Sequence, residues 1–160
     1  MCLYCREHHQ TSDLFVYCGH GAGEVMYESY KFRKFSSCPA ALLWGCSSGR
    51  LRSRGIYDAA GPALNYLLGG APFVVGTLWD VTDKDIDSLS MACMRSSLLL
   101  HNGDGDEDGR SSSCKDKDKQ ALLSVITLSL MRSRDVCKMK HAVGSSPVVY
   151  GLPCHAVVHR

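Results

Sequence analysis

Three uninterrupted apolar runs set the framework of the chain. Asp13-Leu14-Phe15-Val16-Tyr17-Cys18 ends at Gly19, and Ala40-Ala41-Leu42-Leu43-Trp44 ends at Gly45. Phe73-Val74-Val75-Gly76-Thr77-Leu78-Trp79 follows the breaker Gly69-Gly70-Ala71-Pro72. A strand with one wet face alternates apolar and polar residues, so these runs predict strands covered on both faces. Between the second and third, Ala63-Leu64-Asn65-Tyr66-Leu67-Leu68 predicts a short helix closed by the glycine pair. After the third, Thr82 predicts an N-cap, with Asp85 three residues on and Ile86, Leu89 and Cys93 on one helical face. Another apolar-rich segment runs from Gln120 to about Ala142, and Pro147-Val148-Val149-Tyr150 predicts a last extended piece before Gly151. Strands alternating with helices give an α/β fold with a mostly parallel sheet and crossover helices.

Residues 101–119 interrupt that pattern. His101-Asn102-Gly103-Asp104-Gly105-Asp106-Glu107-Asp108 and the Ser/Lys/Asp run after it are small, polar and charged. Such a stretch cannot offset its ordering entropy by burying apolar area, so it predicts a flexible charged loop. Its Asn102/Asp104/Asp106/Asp108 alternation falls short of a calcium loop, which needs a Glu at the twelfth position and a flanking helix. Residues 1–12 predict a poorly ordered N-terminus and 13–160 a single protein domain.

Composition then excludes several classes of function. The 160 residues carry 18 Lys+Arg and 16 Asp+Glu, a net charge of +2, without the one-sided excess that selects nucleic acid or anionic membranes. No apolar run reaches the roughly 20 residues of a membrane-spanning helix. Nine cysteines, an odd count without a signal peptide, point to reduced thiols in the cytoplasm or nucleus. Cys2-Leu3-Tyr4-Cys5 with His8 and His9 has the spacing of half a zinc site, but no second Cys-x-x-Cys completes it, so no metal is expected. Lys31, Arg33 and Lys34, interleaved with Tyr30, Phe32 and Phe35, predict a half-solvated crossover with its aromatics turned inward. Arg50, Arg52 and Arg54 predict a basic loop, either solvated or facing acidic residues of a substrate. Cys38, Cys93, Cys137 and Cys154 are expected to pack as small hydrophobes.

Candidate chemistry sits where strands meet loops. In open α/β sheets, sites form at the carboxyl ends of neighbouring strands. His20 follows the first strand in Gly19-His20-Gly21, and Cys46 follows the second in Gly45-Cys46-Ser47-Ser48-Gly49. Neighbouring parallel strands would bring both side chains to one edge, where imidazole can activate thiol or protonate a leaving amine. The flanking glycines allow the N–H groups of Gly21 and Cys46 to serve as an oxyanion hole.

Longer motifs are more specific. Tyr17-Cys18-Gly19-His20-Gly21-Ala22-Gly23-Glu24, Leu43-Trp44-Gly45-Cys46-Ser47-Ser48-Gly49 and Thr77-Leu78-Trp79-Asp80-Val81-Thr82-Asp83-Lys84-Asp85-Ile86-Asp87 closely resemble the catalytic domain of separase. Arg132-Ser133-Arg134-Asp135-Val136-Cys137-Lys138 and Pro147-Val148-Val149-Tyr150-Gly151-Leu152-Pro153 look like that family's closing segments, in the same order. The resemblance covers about residues 13–95 and 125–153. It implies a caspase-like fold and a cysteine endopeptidase that cleaves the kleisin subunit of cohesin after arginine, releasing sister chromatids at anaphase. It also implies a securin-like inhibitor and no cofactor. Cys46 becomes the nucleophile, His20 its partner, and Gly21 and Cys46 the oxyanion donors. An arginine-directed pocket needs carboxylates. Asp87 is the leading pocket acid by resemblance and Asp80 the second, whereas Asp83 and Asp85 read better as acids favoured at a helix N-terminus. Trp79 is either a pocket wall or a buried strand-end residue. The family carries further protease-domain strands ahead of the histidine strand, so the fold is expected to be incomplete on that side, with an uncovered apolar edge or face. This chain is then either the catalytic piece of a larger protease or a non-catalytic remnant acting as a binding module.

Overall fold

The computed structural model describes residues 14–24, 28–35, 37–102 and 125–151. The sequence expectations for residues 1–12, for 103–119, and for Cys2, Cys5, His8, His9 and Cys154 lie outside them. Strand β1 (Leu14–Cys18) leads through a 3₁₀ turn (Ser29–Lys34) to β2 (Ala40–Trp44). A hairpin of β3 (Arg52–Arg54) and β4 (Tyr57–Ala60) precedes helix α1 (Pro62–Leu68), strand β5 (Phe73–Thr77) and helix α2 (Asp83–Asn102). Helix α3 (Val125–Ser133), a 3₁₀ turn (Arg134–Val136) and β6 (Pro147–Gly151) complete it.

The main sheet has the order β1-β2-β5-β6. β1 and β2 pair in parallel with Leu14 opposite Ala40 and Cys18 opposite Trp44, and β2 pairs in parallel with β5. β5 and β6 run antiparallel, Phe73 opposite Gly151 and Thr77 opposite Pro147. This is an α/β fold with a mostly parallel, mixed sheet.

Every residue of β2 and β5 is buried because both sheet faces are covered. Side chains alternate across a strand. Ala40, Leu42 and Trp44 therefore pack with Phe73 and Val75 under Ile86, Leu89 and Cys93 of α2 and Leu130 of α3. Ala41, Leu43 and Val74 pack on the opposite face with Ala63 and Tyr66 of α1 and Phe32 of the 3₁₀ turn. Phe32 stacks on Tyr66 with centroids 4.4 Å apart, and Phe35 meets Phe32 edge-on at 5.5 Å. The crossover thus turns two aromatics inward; Tyr30 stays exposed. Its basic groups are held locally, Arg33 Nε donating to Asn65 Oδ1 (2.6 Å) and Lys31 pairing with Glu28.

Four boundaries differ from the sequence expectation. The basic stretch Arg50–Arg54 is not a loop, since residues 52–54 form β3 of the hairpin. Helix α2 continues to Asn102, so the first two residues of the expected loop 101–119 are helical. The segment expected from Gln120 to Ala142 is helical over Val125–Ser133 and then breaks into a 3₁₀ turn and tight turns. β5 ends at Thr77, two residues before Trp79. β1 is not covered on both faces as its apolar run predicts: it is an outer strand, and Leu14 and Val16 are exposed, an apolar face open among the described residues.

Candidate active site

The parallel register carries the β1 and β2 turns to the same carboxyl edge. After β1, the Tyr17 hydroxyl donates to the His20 carbonyl (3.0 Å) and the Ala22 N–H to Glu24 Oε2 (2.8 Å). Gly21 at φ 61° allows the chain to reverse there. His20 is exposed, and Ala22 is buried beneath it in the core.

The β2 turn is bolted to β5. Thr77 Oγ1 donates to the Gly45 carbonyl and the Gly49 N–H to the Thr77 carbonyl (2.9 Å). Ser48 Oγ donates to the Leu43 carbonyl (2.7 Å) and accepts the Thr77 N–H (3.0 Å). The Tyr150 hydroxyl of β6 closes the cage on the Gly49 carbonyl (2.9 Å). The two turns meet at Gly45. A Cβ there would lie well inside contact distance of the Gly19 and Gly21 carbonyl oxygens. The structure thus brings the His20 and Cys46 turns into direct backbone contact.

Cys46 is half-buried. Its Sγ donates to the Val81 carbonyl (3.2 Å) and faces the Val81 N–H at 3.4 Å. Ser47 takes φ 55°, a left-handed conformation that costs a non-glycine residue about 1 kcal/mol. It is held there by its N–H to the Trp79 carbonyl (3.1 Å) and its Oγ to Asp80 Oδ1 (2.7 Å). Asp80 is thereby joined to the turn that carries Cys46.

The four acids of the 80–87 run have separate positions. Asp87 is exposed on α2, and burial first and the Asp87 charge second push the thiol of Cys18, the last residue of β1, up. Asp83 is exposed in the first turn of α2, and Thr82 precedes it with its carbonyl accepting the Ile86 N–H (3.0 Å). Asp85 is buried and reaches across the fold, its Oδ1 and Oδ2 accepting the N–H groups of Lys138 (3.3 Å) and Met139 (3.0 Å). Asp85 thus stands in the first turn of α2, as expected of a helix N-terminal acid, and in addition caps the turn at 138–139. Asp85→Asn replaces an acceptor by an amide facing a backbone donor, so it is expected to cost about 2 kcal/mol in urea unfolding. Asp83→Asn should change stability by less than about 0.5 kcal/mol. Equal losses would refute the cap.

Trp79 is exposed, with its Nε1 donating to the Ala142 carbonyl (2.6 Å), so it is not a buried strand-end residue. It stands on the same edge as Ser47, whose N–H its carbonyl accepts. Burial pushes the thiols of Cys38 and Cys93 up to about 11, which suits packing and not nucleophilic chemistry. Burial and the Asp85 charge raise Cys137 as well. Sequence reasoning missed Ser47, Thr77, Tyr150 and the Val81 backbone. All four lie inside the matched motif stretches, but each acts through a contact made only once the strands are side by side.

Comparison with known proteins gives a consistent result. Residues 5–86 match the family model described as separin, protease domain. The chain is 39% identical over 144 residues to separin of Saccharomyces cerevisiae, covering 90% of this chain and 8% of that protein. Separin of Emericella nidulans is 38% identical over 144 residues, and that of Mus musculus 33% over 141, with 6% of each relative covered. The crystal structure of the Saccharomyces cerevisiae separase–securin complex superposes on 91% of this chain and 8% of its own with a TM-score of 0.71 and 36% identity. The chain therefore spans less than a tenth of the length of these relatives.

Proposed function

Since this chain belongs to the separin protease-domain family, we propose that it carries the catalytic centre of a cysteine endopeptidase that cuts after arginine. The observation that carries this reading is the junction at Gly45, where the histidine turn and the cysteine turn press backbone to backbone.

Cys46 Sγ gives its proton to the His20 imidazole and attacks the scissile carbonyl. The Val81 N–H, aimed at the sulfur, favours the thiolate as the bond to the Val81 carbonyl is given up. The N–H groups of Gly21 and Cys46 receive the developing oxyanion, Cys46 being oriented by the turn that Ser47 and Asp80 lock. His20 then protonates the leaving amine, the C–N bond breaks, and water hydrolyses the thioester. Asp87, exposed on α2 and within electrostatic reach of Cys18 at the end of the histidine strand, receives the substrate guanidinium. Asp80, committed to Ser47, serves the turn first; Trp79 borders the entrance on the same edge.

The substrate of this reading is the kleisin subunit of cohesin, cut in the cytoplasm and nucleus to separate sister chromatids. Its inhibitor is a securin-like chain, a partner suggested by the separase–securin complex that this fold matches. An arginine-terminated acyloxymethyl ketone is the direct test. Intact-mass measurement should show one adduct on the wild type and none on Cys46→Ser. A folded wild-type chain that takes no adduct would overturn the enzyme reading in favour of a non-catalytic binding module.

A further inference from the structure

Three glycines in five residues, Gly19, Gly21 and Gly23, give the turn after β1 wide conformational freedom. A preorganised oxyanion donor needs the opposite, a peptide N–H fixed before substrate arrives. Two side chains supply that rigidity. The Tyr17 hydroxyl donates to the His20 carbonyl (3.0 Å), which also accepts the Gly23 N–H (3.4 Å). A peptide unit is planar and trans, so holding the His20 carbonyl directs the Gly21 N–H the opposite way. The next peptide unit is held at its other end, by the bond from the Ala22 N–H to Glu24 Oε2 (2.8 Å). Between the two, the Gly21 N–H has no partner among the described residues.

Both locks use space that only glycine leaves. An added Cβ at Gly19 would lie 2.6 Å from the Tyr17 hydroxyl oxygen, and one at Gly21 would lie 2.7 Å from Glu24 Oε2. The tyrosine ring thus folds back over Gly19, and the carboxylate lies against the Gly21 backbone. From the far side, Gly45 presses on the Gly19 and Gly21 carbonyl oxygens. Glu24 is exposed, and a hydroxyl and a carboxylate committed to one surface turn contribute little to the core. We propose that Tyr17 and Glu24 are positioning residues that preset the Gly21 N–H as an oxyanion donor. This rests on the protease reading and adds two residues to it, which act through the backbone and not on substrate.

Two reactions of Cys46 separate this role from a general one in stability. Hydrolysis of an arginyl coumarin amide passes through a tetrahedral oxyanion. Alkylation by iodoacetamide is displacement at a saturated carbon and needs only the thiolate. Tyr17→Phe and Glu24→Ala should each lower kcat for hydrolysis about tenfold with KM unchanged. Their iodoacetamide rates at Cys46, read by peptide mass, should match wild type across the pH profile. Glu24→Gln keeps an oxygen acceptor and should restore kcat to within about twofold of wild type. A loosened fold would instead alter both reactions and lower the melting temperature. In ¹⁵N-labelled chain, the Ala22 amide should exchange with solvent about tenfold faster in Glu24→Ala than in wild type or Glu24→Gln. Hydrolysis and alkylation falling in parallel, hydrolysis unchanged in both variants, or Ala22 exchange equal in wild type and Glu24→Ala would each overturn the proposal while leaving Cys46 its protease role. A wild-type chain that iodoacetamide labels but that hydrolyses no arginyl amide overturns the protease reading, and the positioning role falls with it.

Discussion

Gly45→Ala is expected to cost about 3 kcal/mol or more and to remove any activity with it. The added methyl group would collide with two carbonyl oxygens, those of Gly19 and Gly21, and neither belongs to a flexible side chain that could swing away. Relief would require β1 and β2 to separate at their carboxyl ends. The ladder that sets the register of Cys18 against Trp44 opposes this, as does the bond from the Gly19 N–H to the Trp44 carbonyl (3.4 Å). Urea unfolding gives the size of the loss, and the rate of arginine-probe labelling reports the site. Gly55→Ala is the control, since a Cβ there meets nothing within 4 Å, although its φ of 64° adds a strain of about 1 kcal/mol. Gly45→Ala no worse than Gly55→Ala would mean that the two turns are not pressed together, and the proposed dyad would lose its geometric support.

His20→Ala is expected to slow labelling of Cys46 by about 10²–10⁴-fold, the usual contribution of a positioned general acid–base. The side chain is exposed and adds little to the core, so the melting temperature should barely move. The expected pattern is a rate loss without a stability loss, opposite in kind to Asp85→Asn. A His20→Ala chain that labels as fast as wild type would remove the imidazole from the mechanism. Cys46 would then depend on the Val81 N–H alone for its thiolate.

Much of this architecture was legible along the chain because of how buried strands are written. β2 and β5 are covered on both faces, so they appear as apolar runs, one ended by Gly45 and the other introduced by Gly69-Gly70, and the turns after β1 and β2 carry His20 and Cys46 in plain view. The β3–β4 hairpin was not legible. Arg52, Ser53, Tyr57, Asp58 and Ala59 are exposed, leaving no hydrophobic period to detect. The break after Ser133 was hidden for the opposite reason: Val136, Cys137 and Met139 continue the apolar content of α3 while the backbone turns.

The acidic run shows where local reading ends. Asp80, Asp83, Asp85 and Asp87 are chemically identical and nearly adjacent, yet one locks Ser47, one is simply exposed, one caps Lys138 and Met139, and one acts on the charge of Cys18. Their differences come from partners 33 to 54 residues away in the case of Asp80 and Asp85. By itself, the sequence determined the order of β1, β2, α1, β5, α2 and β6, the family likeness and the two residues proposed for catalysis, because contiguous apolarity and short turns are local properties. The tertiary structure alone decided the antiparallel direction of β6, the strained turn at Ser47 and the roles of the four acids. Each of these depends on which distant backbone groups arrive beside a side chain, and no spacing along the chain encodes that arrival.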